Sequence, residues 1–194
     1  MKSCFSNAVL PVDYCRLTKR SASALRLQHA TVLISNMLGQ YRLMAALMLN
    51  CGLHPRECIN LRIRHLRWVK RQIIIPNTAG LAVRTSFLPS FLAEDLLQQV
   101  DYIRQLHEDE LASGFGQVRM PESFAGDVMR YSVDFGWQWL FSRRSLALED
   151  MAGSRETLIL EVLSRRIQRA ADLICLSEEV DVEIFWRSFL AGIP

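Results

Sequence analysis

Residues 52–57 read Gly-Leu-His-Pro-Arg-Glu, which sets an imidazole (His54), a guanidinium (Arg56) and a carboxylate (Glu57) at the start of a short helix. Such a set can hold a phosphate and move a proton. A plainer reading stands beside it, with Glu57 as a structural carboxylate bonded to nearby backbone. Just downstream, Arg56, Arg62, Arg64, His65, Arg67, Lys70 and Arg71 form the densest basic run of the chain. Either it tracks a nucleic-acid backbone or it is a solvated face. Arg165, Arg166 and Arg169 make a second group, with Glu161 and Asp172 at helical spacing for intrahelical pairs. Trp137 and Trp139 lie two residues apart, flanked by Phe135, Leu140 and Phe141. Indoles can stack unpaired bases at ~1–3 kcal/mol each, and the same cluster can equally cap a hydrophobic core.

Composition narrows the chemistry. Of 23 basic residues only Lys2, Lys19 and Lys70 are lysine. The rest are arginine, whose planar fork suits phosphate and carboxylate, although genomic base composition produces the same bias. The net charge of +3 does not by itself argue for nucleic acid. Five cysteines, Cys4, Cys15, Cys51, Cys58 and Cys175, form no CxxC pair. They read as reduced thiols behaving as small hydrophobes, with no metal site and no cofactor. No apolar run approaches the ~18–20 residues of a membrane helix, and the opening MKSCFSNAVLP is too short in apolar residues for export. The expected compartment is the cytoplasm, with no membrane partner.

These groups need elements to position them. Residues 1–24 read as a tail or linker, and 25–194 as one domain. Leu25, Ala30, Leu33, Met37 and Leu38 keep near-helical spacing, with Gly39 as a stop. Tyr41 to Asn50 is apolar almost all round, as a helix in the middle of a core must be, and Gly52 supplies the left-handed residue that ends it. Pro55 opens a short helix. Residues 72–76 and 82–89 read as strands of a hairpin around the turn 77–80. Ser90 is the expected N-cap of a helix with the stripe Leu92, Leu96, Val100, Ile103 and Leu106. Residues 113–153, with five of the nine glycines, read as an insertion with short helices. A long helix from Ser154 carries the stripe Ile159, Leu163, Ile167, Ala170 and Ile174, and Glu178 to Leu190 is a final helical segment.

This order of elements, and the run from Tyr41 to Pro89, resembles the first half of a tyrosine-recombinase catalytic domain of the integron-integrase branch. The two align without a gap. Gly136-Trp137-Gln138-Trp139-Leu140-Phe141 keeps the aromatic spacing of that branch's own insertion, which helps to grip bases flipped out of a folded single strand. The matches run from about Leu25 to Ala170. Enzymes of this family attack a phosphodiester with a tyrosine, while two arginines, a lysine and histidines neutralise the transition state.

Position by position, the resemblance implies that this chemistry is missing. His54 stands where the family has the first arginine of G-M-R-I-S-E, and Arg56, two residues on, is rotated by roughly 200° on a helix. Ala79 stands for the lysine of the hairpin turn, while Arg84 matches the family's arginine after K-D and Arg62 that of L-x-L-R. In the H-x-x-R box Glu183 replaces the histidine and Trp186 the arginine. A slip of one would bring Arg187 to that place. The chain's tyrosines are Tyr14, Tyr41, Tyr102 and Tyr131, and the expected nucleophile would lie beyond Pro194.

The expected fold is therefore mainly α with a small antiparallel sheet, an incomplete recombinase catalytic domain. The expected function is that of a DNA-binding remnant without activity of its own. Its DNA contacts would be Arg56, Arg62, Arg64, Arg84, Trp137, Trp139, Arg165, Arg166 and Arg169, and its partner weakly bound duplex or folded single-stranded DNA. The alternative is a protein-interaction module that dimerises or docks on a full-length recombinase. A third possibility, an enzyme completed by another chain's tyrosine, would still lack the family residues replaced by His54 and Ala79.

Overall fold

The computed structural model describes residues 24–75, 83–121, 124, 126–142, 154–176 and 180–192. Helix α2 (Gly39–Cys51) is its axis, and nine of its residues are buried, from Tyr41 to Cys51. A helix apolar on every side has no solvent face, so the other elements must surround it. Helix α1 (Leu27–Ser35), α3 (Pro55–Ile59), α4 (Ala93–Ala112) and α7 (Ile184–Ala191) all pack on it, and α6 (Ser154–Leu173) closes the core against α1 and α3. The predicted stripes are the buried ones: Leu96, Val100, Ile103 and Leu106 on α4, and Ile159, Leu163, Ile167 and Ala170 on α6. Phe141 and Phe185 are the largest side chains that are wholly enclosed.

The sheet is antiparallel in the order β1 (Leu66–Arg67), β2 (Gln72–Ile75), β3 (Arg84–Phe87), with Ile73 opposite both Leu66 and Ser86. Ile73 and Ile75 face the core, while β3 is an exposed edge. The architecture is thus mainly α with a small antiparallel sheet. Between α4 and α6 lie α5 (Val128–Ser132) and a 3-10 turn at Phe135–Trp137.

Three local expectations are corrected. Gly39 does not end the first helix but opens the second at φ +62, and Leu38 points outward because it is the extended N-cap residue of α2. Ser90 does not cap α4, since a 3-10 turn Ser90–Leu92 intervenes and Leu92 takes the cap position without a side-chain bond. The final helix starts at Ile184, six residues after the expected Glu178, and residues 177–179 lie outside the described residues. So do the turn 76–82 with Ala79, most of the tail, and the end of the insertion from 143 to 153. Among the described residues no helix is long and apolar enough to cross a membrane.

Candidate functional site

At the C-terminal end of α2 the chain turns through Gly52, whose φ of +64 is the left-handed cap read from the sequence. A Cβ there would sit within 2.7 Å of the Phe189 ring, so α7 lies directly against this turn. His54 then caps α3. Its Nδ1 accepts the Arg56 backbone N–H at 3.3 Å, and its own N–H donates to Glu57 Oε2 at 2.7 Å. With Nδ1 accepting, the ring proton is assigned to Nε2, which lies 3.4 Å from Glu183 Oε1. The Trp186 ring meets the His54 ring edge-on at a 5.0 Å centroid distance.

Trp186, not Arg187, therefore faces His54. Arg187 is engaged by Asp181 at 2.8 Å and by Glu183 at 3.4 Å. Arg84 points at the same corner, donating to the Gly52 carbonyl at 2.9 Å and pairing with both oxygens of Glu57. Its guanidinium is tied to the loop that it would have to leave in order to bind a phosphate. Arg56 is exposed beside them, its backbone rather than its side chain anchored by His54.

A second group gathers at the insertion. Arg62, expected to contact DNA, is only 4% exposed. Its guanidinium donates to the Trp137 carbonyl at 2.6 Å and the Arg119 carbonyl at 2.7 Å, and lies 3.7 Å over the Trp139 ring. This corrects the expectation: a cation with two carbonyls and an indole face is a clamp between the α3 loop and the insertion, out of reach of a phosphate. Backbone bonds Ile63 N–H to Gln138 O and Leu140 N–H to Leu61 O close the same seam. Arg64 is exposed and stacks 3.9 Å over the Trp137 ring, which also meets the Arg62 guanidinium at 5.5 Å and Phe124 edge-on. Burial, with Arg62 and Arg64 nearby, lowers the His65 pKa to about 4, so His65 adds no charge to the basic run at neutral pH.

The third group stands at the other end of α2, about 20 Å away along its axis. Arg165, Arg166 and Arg169 project from α6 into a cleft of about 940 Å³, opposite Gln40 and Tyr41. The expected intrahelical pairs do not form: Arg165 bonds the Glu161 carbonyl, and Asp172 accepts from Gln168. The sequence reading missed Asp181 and Arg187 as partners, although Arg187 four residues after Glu183 was a usable signal. It also missed the wall formed by Gln40 and Tyr41.

Burial raises the Cys51 thiol to about 12, and the Cys58 thiol well above its ordinary value, leaving both protonated and unreactive.

No protein-family model matches the chain. It is similar to two proteins named Integrase/recombinase, one from Escherichia coli and one from Pseudomonas aeruginosa, each 23% identical over 157 residues. The match covers 80% of this chain and 47% of each relative, so the chain spans about half the length of the curated relatives it matches. That similarity supports a recombinase-family relationship for this chain.

Proposed function

We propose that this chain is a DNA-binding relative of the integron-type tyrosine recombinases that does not cleave DNA by itself. The observation that carries the reading is the contact set His54–Glu183–Trp186. In the family it resembles, this corner neutralises a phosphorane with cations. Here a carboxylate and an indole occupy it, and the nearby Arg187 and Arg84 are engaged by Asp181, Glu183 and Glu57. A carboxylate repels the charge that develops on the phosphate. Losing even one preorganised donor typically costs ~10²–10³ in rate.

DNA binding is supported by the recombinase names of the relatives and by arginines that remain exposed: Arg56, Arg64, Arg165, Arg166 and Arg169. Phosphate contacts from such residues give weak, salt-sensitive binding with little sequence preference. A gel-shift titration of duplex and hairpin DNA tests it. The expected result is a shift at micromolar protein in ~50 mM salt that fades steeply as salt rises. No shift with either DNA would refute it.

One observation favours the second reading, a module that dimerises or docks on a full-length recombinase. Val69, Val83, Phe87 and Phe91 are exposed apolar residues on and beside the sheet, Phe87 by 63% and Phe91 by 57%. Sedimentation of the chain alone and with a full-length recombinase separates this reading from the first.

A further inference from the structure

We propose that the cleft between α2, α4 and α6 is a binding site for a nucleoside monophosphate moiety, separate from the His54 corner. Three independent features converge there. The cleft begins at Gly39, Gln40 and Tyr41, the first residues of a 13-residue helix whose N-cap, Leu38, offers no side-chain bond. The leading N–H groups of such a helix lack intrahelical partners and carry the positive end of its dipole, a setting that favours phosphate. Facing them are the guanidiniums of Arg165, Arg166 and Arg169, which have no carboxylate partner among the described residues. Arg166 lies 5.8 Å from the centre of the Tyr41 ring and so sits over the helix start.

The third feature points to more than a bare anion. Tyr102, 48% exposed on the cleft's α4 side, offers an aromatic face for a base. Tyr41, 7% exposed, forms the floor beneath Arg166. Three arginines at a helix start and a flat ring across the cleft suit the phosphate and the base of a nucleotide. The volume of about 940 Å³ lies within the ~300–1,000 Å³ range of small-molecule pockets.

Calorimetric titration of the full chain with AMP, adenosine and inorganic phosphate at about 0.1 M salt tests the assignment. AMP is expected to bind at least about tenfold more tightly than either of its parts. R166A/R169A is expected to abolish that advantage, and Y102A to weaken AMP several-fold while leaving inorganic phosphate unchanged. R67A, which removes an exposed charge on β1 away from the cleft, controls for net charge and is expected to behave as the unmodified chain. A 5′-phosphorylated oligodeoxynucleotide added to the AMP complex identifies the source: displacement assigns the moiety to a strand end, persistence to a free nucleotide. Adenosine binding as well as AMP, phosphate binding as well as AMP, or AMP affinity surviving R166A/R169A would each overturn the proposal. These outcomes are independent of the gel shift, which can succeed through Arg56 and Arg64 alone.

Discussion

The two ends of α2 use arginine in opposite ways. At the C-terminal end, Arg84 is bound to Glu57 and the Gly52 carbonyl, and Arg187 to Asp181 and Glu183, while Arg62 in the adjoining seam is clamped on two carbonyls. At the N-terminal end, Arg165, Arg166 and Arg169 face a cleft with no carboxylate set against them among the described residues. Residue type is the same in both places, and its physical consequence is not. A guanidinium tied to carbonyls holds loops together, whereas one facing solvent and a helix start creates a field for anions.

The sharpest test of that contrast is Arg62→Ala. It leaves the Trp137 and Arg119 carbonyls without their donors and opens a void under Trp139, so denaturant unfolding should show a loss of about 3–5 kcal/mol. Arg169→Ala, exposed on α6, should change stability by no more than about 0.5 kcal/mol. If the two cost the same, the distinction between the ends fails.

The next effect is set by pH. His65, whose Nδ1 accepts the Arg62 N–H at 3.0 Å, has its folded pKa lowered from 6.5 to about 4. The unfolded chain therefore binds the proton first. Stability is fully present above about pH 6.5 and is lost as pH falls toward 4, by up to about 3 kcal/mol. His107, whose Nε2 lies 3.0 Å from the Val133 carbonyl, is shifted in the same direction by burial and adds to the slope. His65→Gln should flatten the profile in that window, and an unchanged profile would show that the seam does not depend on a neutral imidazole.

The smallest effect concerns the corner itself. Glu183→Gln removes one carboxylate from His54 and Arg187, and DNA affinity in the gel shift should rise about three- to tenfold at low salt. Stability should move by less than about 1 kcal/mol, because Glu183 is 43% exposed and water screens its pairs with His54 and Arg187. Unchanged affinity would mean that DNA does not approach this end.

Much of the frame was legible in the sequence because it depends on local chemistry. The all-apolar run identified α2 as the central helix, and Gly52 marked its left-handed end. The stripes of α4 and α6 named their buried faces. Gly39 was misread because glycine signals a break without saying on which side the helix lies. β1 escaped notice because two residues carry no period. Within the site, His54, Glu183 and Trp186 were singled out in the sequence, and the structure brings those three side chains together. The fate of Arg62 was not readable, since its carbonyl partners lie 57 and 75 residues away and nothing local distinguishes it from Arg64.

The most direct test of the proposed function is incubation of the unmodified chain with a nicked suicide substrate, resolved once under native and once under denaturing conditions. The native lane should show a salt-sensitive shifted band and the denaturing lane only free DNA, because the corner offers a carboxylate where phosphoryl transfer needs cations. A denaturation-resistant protein–DNA band, lost when any one of Tyr14, Tyr41, Tyr102 or Tyr131 is replaced by Phe, would contradict the account and make the chain a cleaving enzyme.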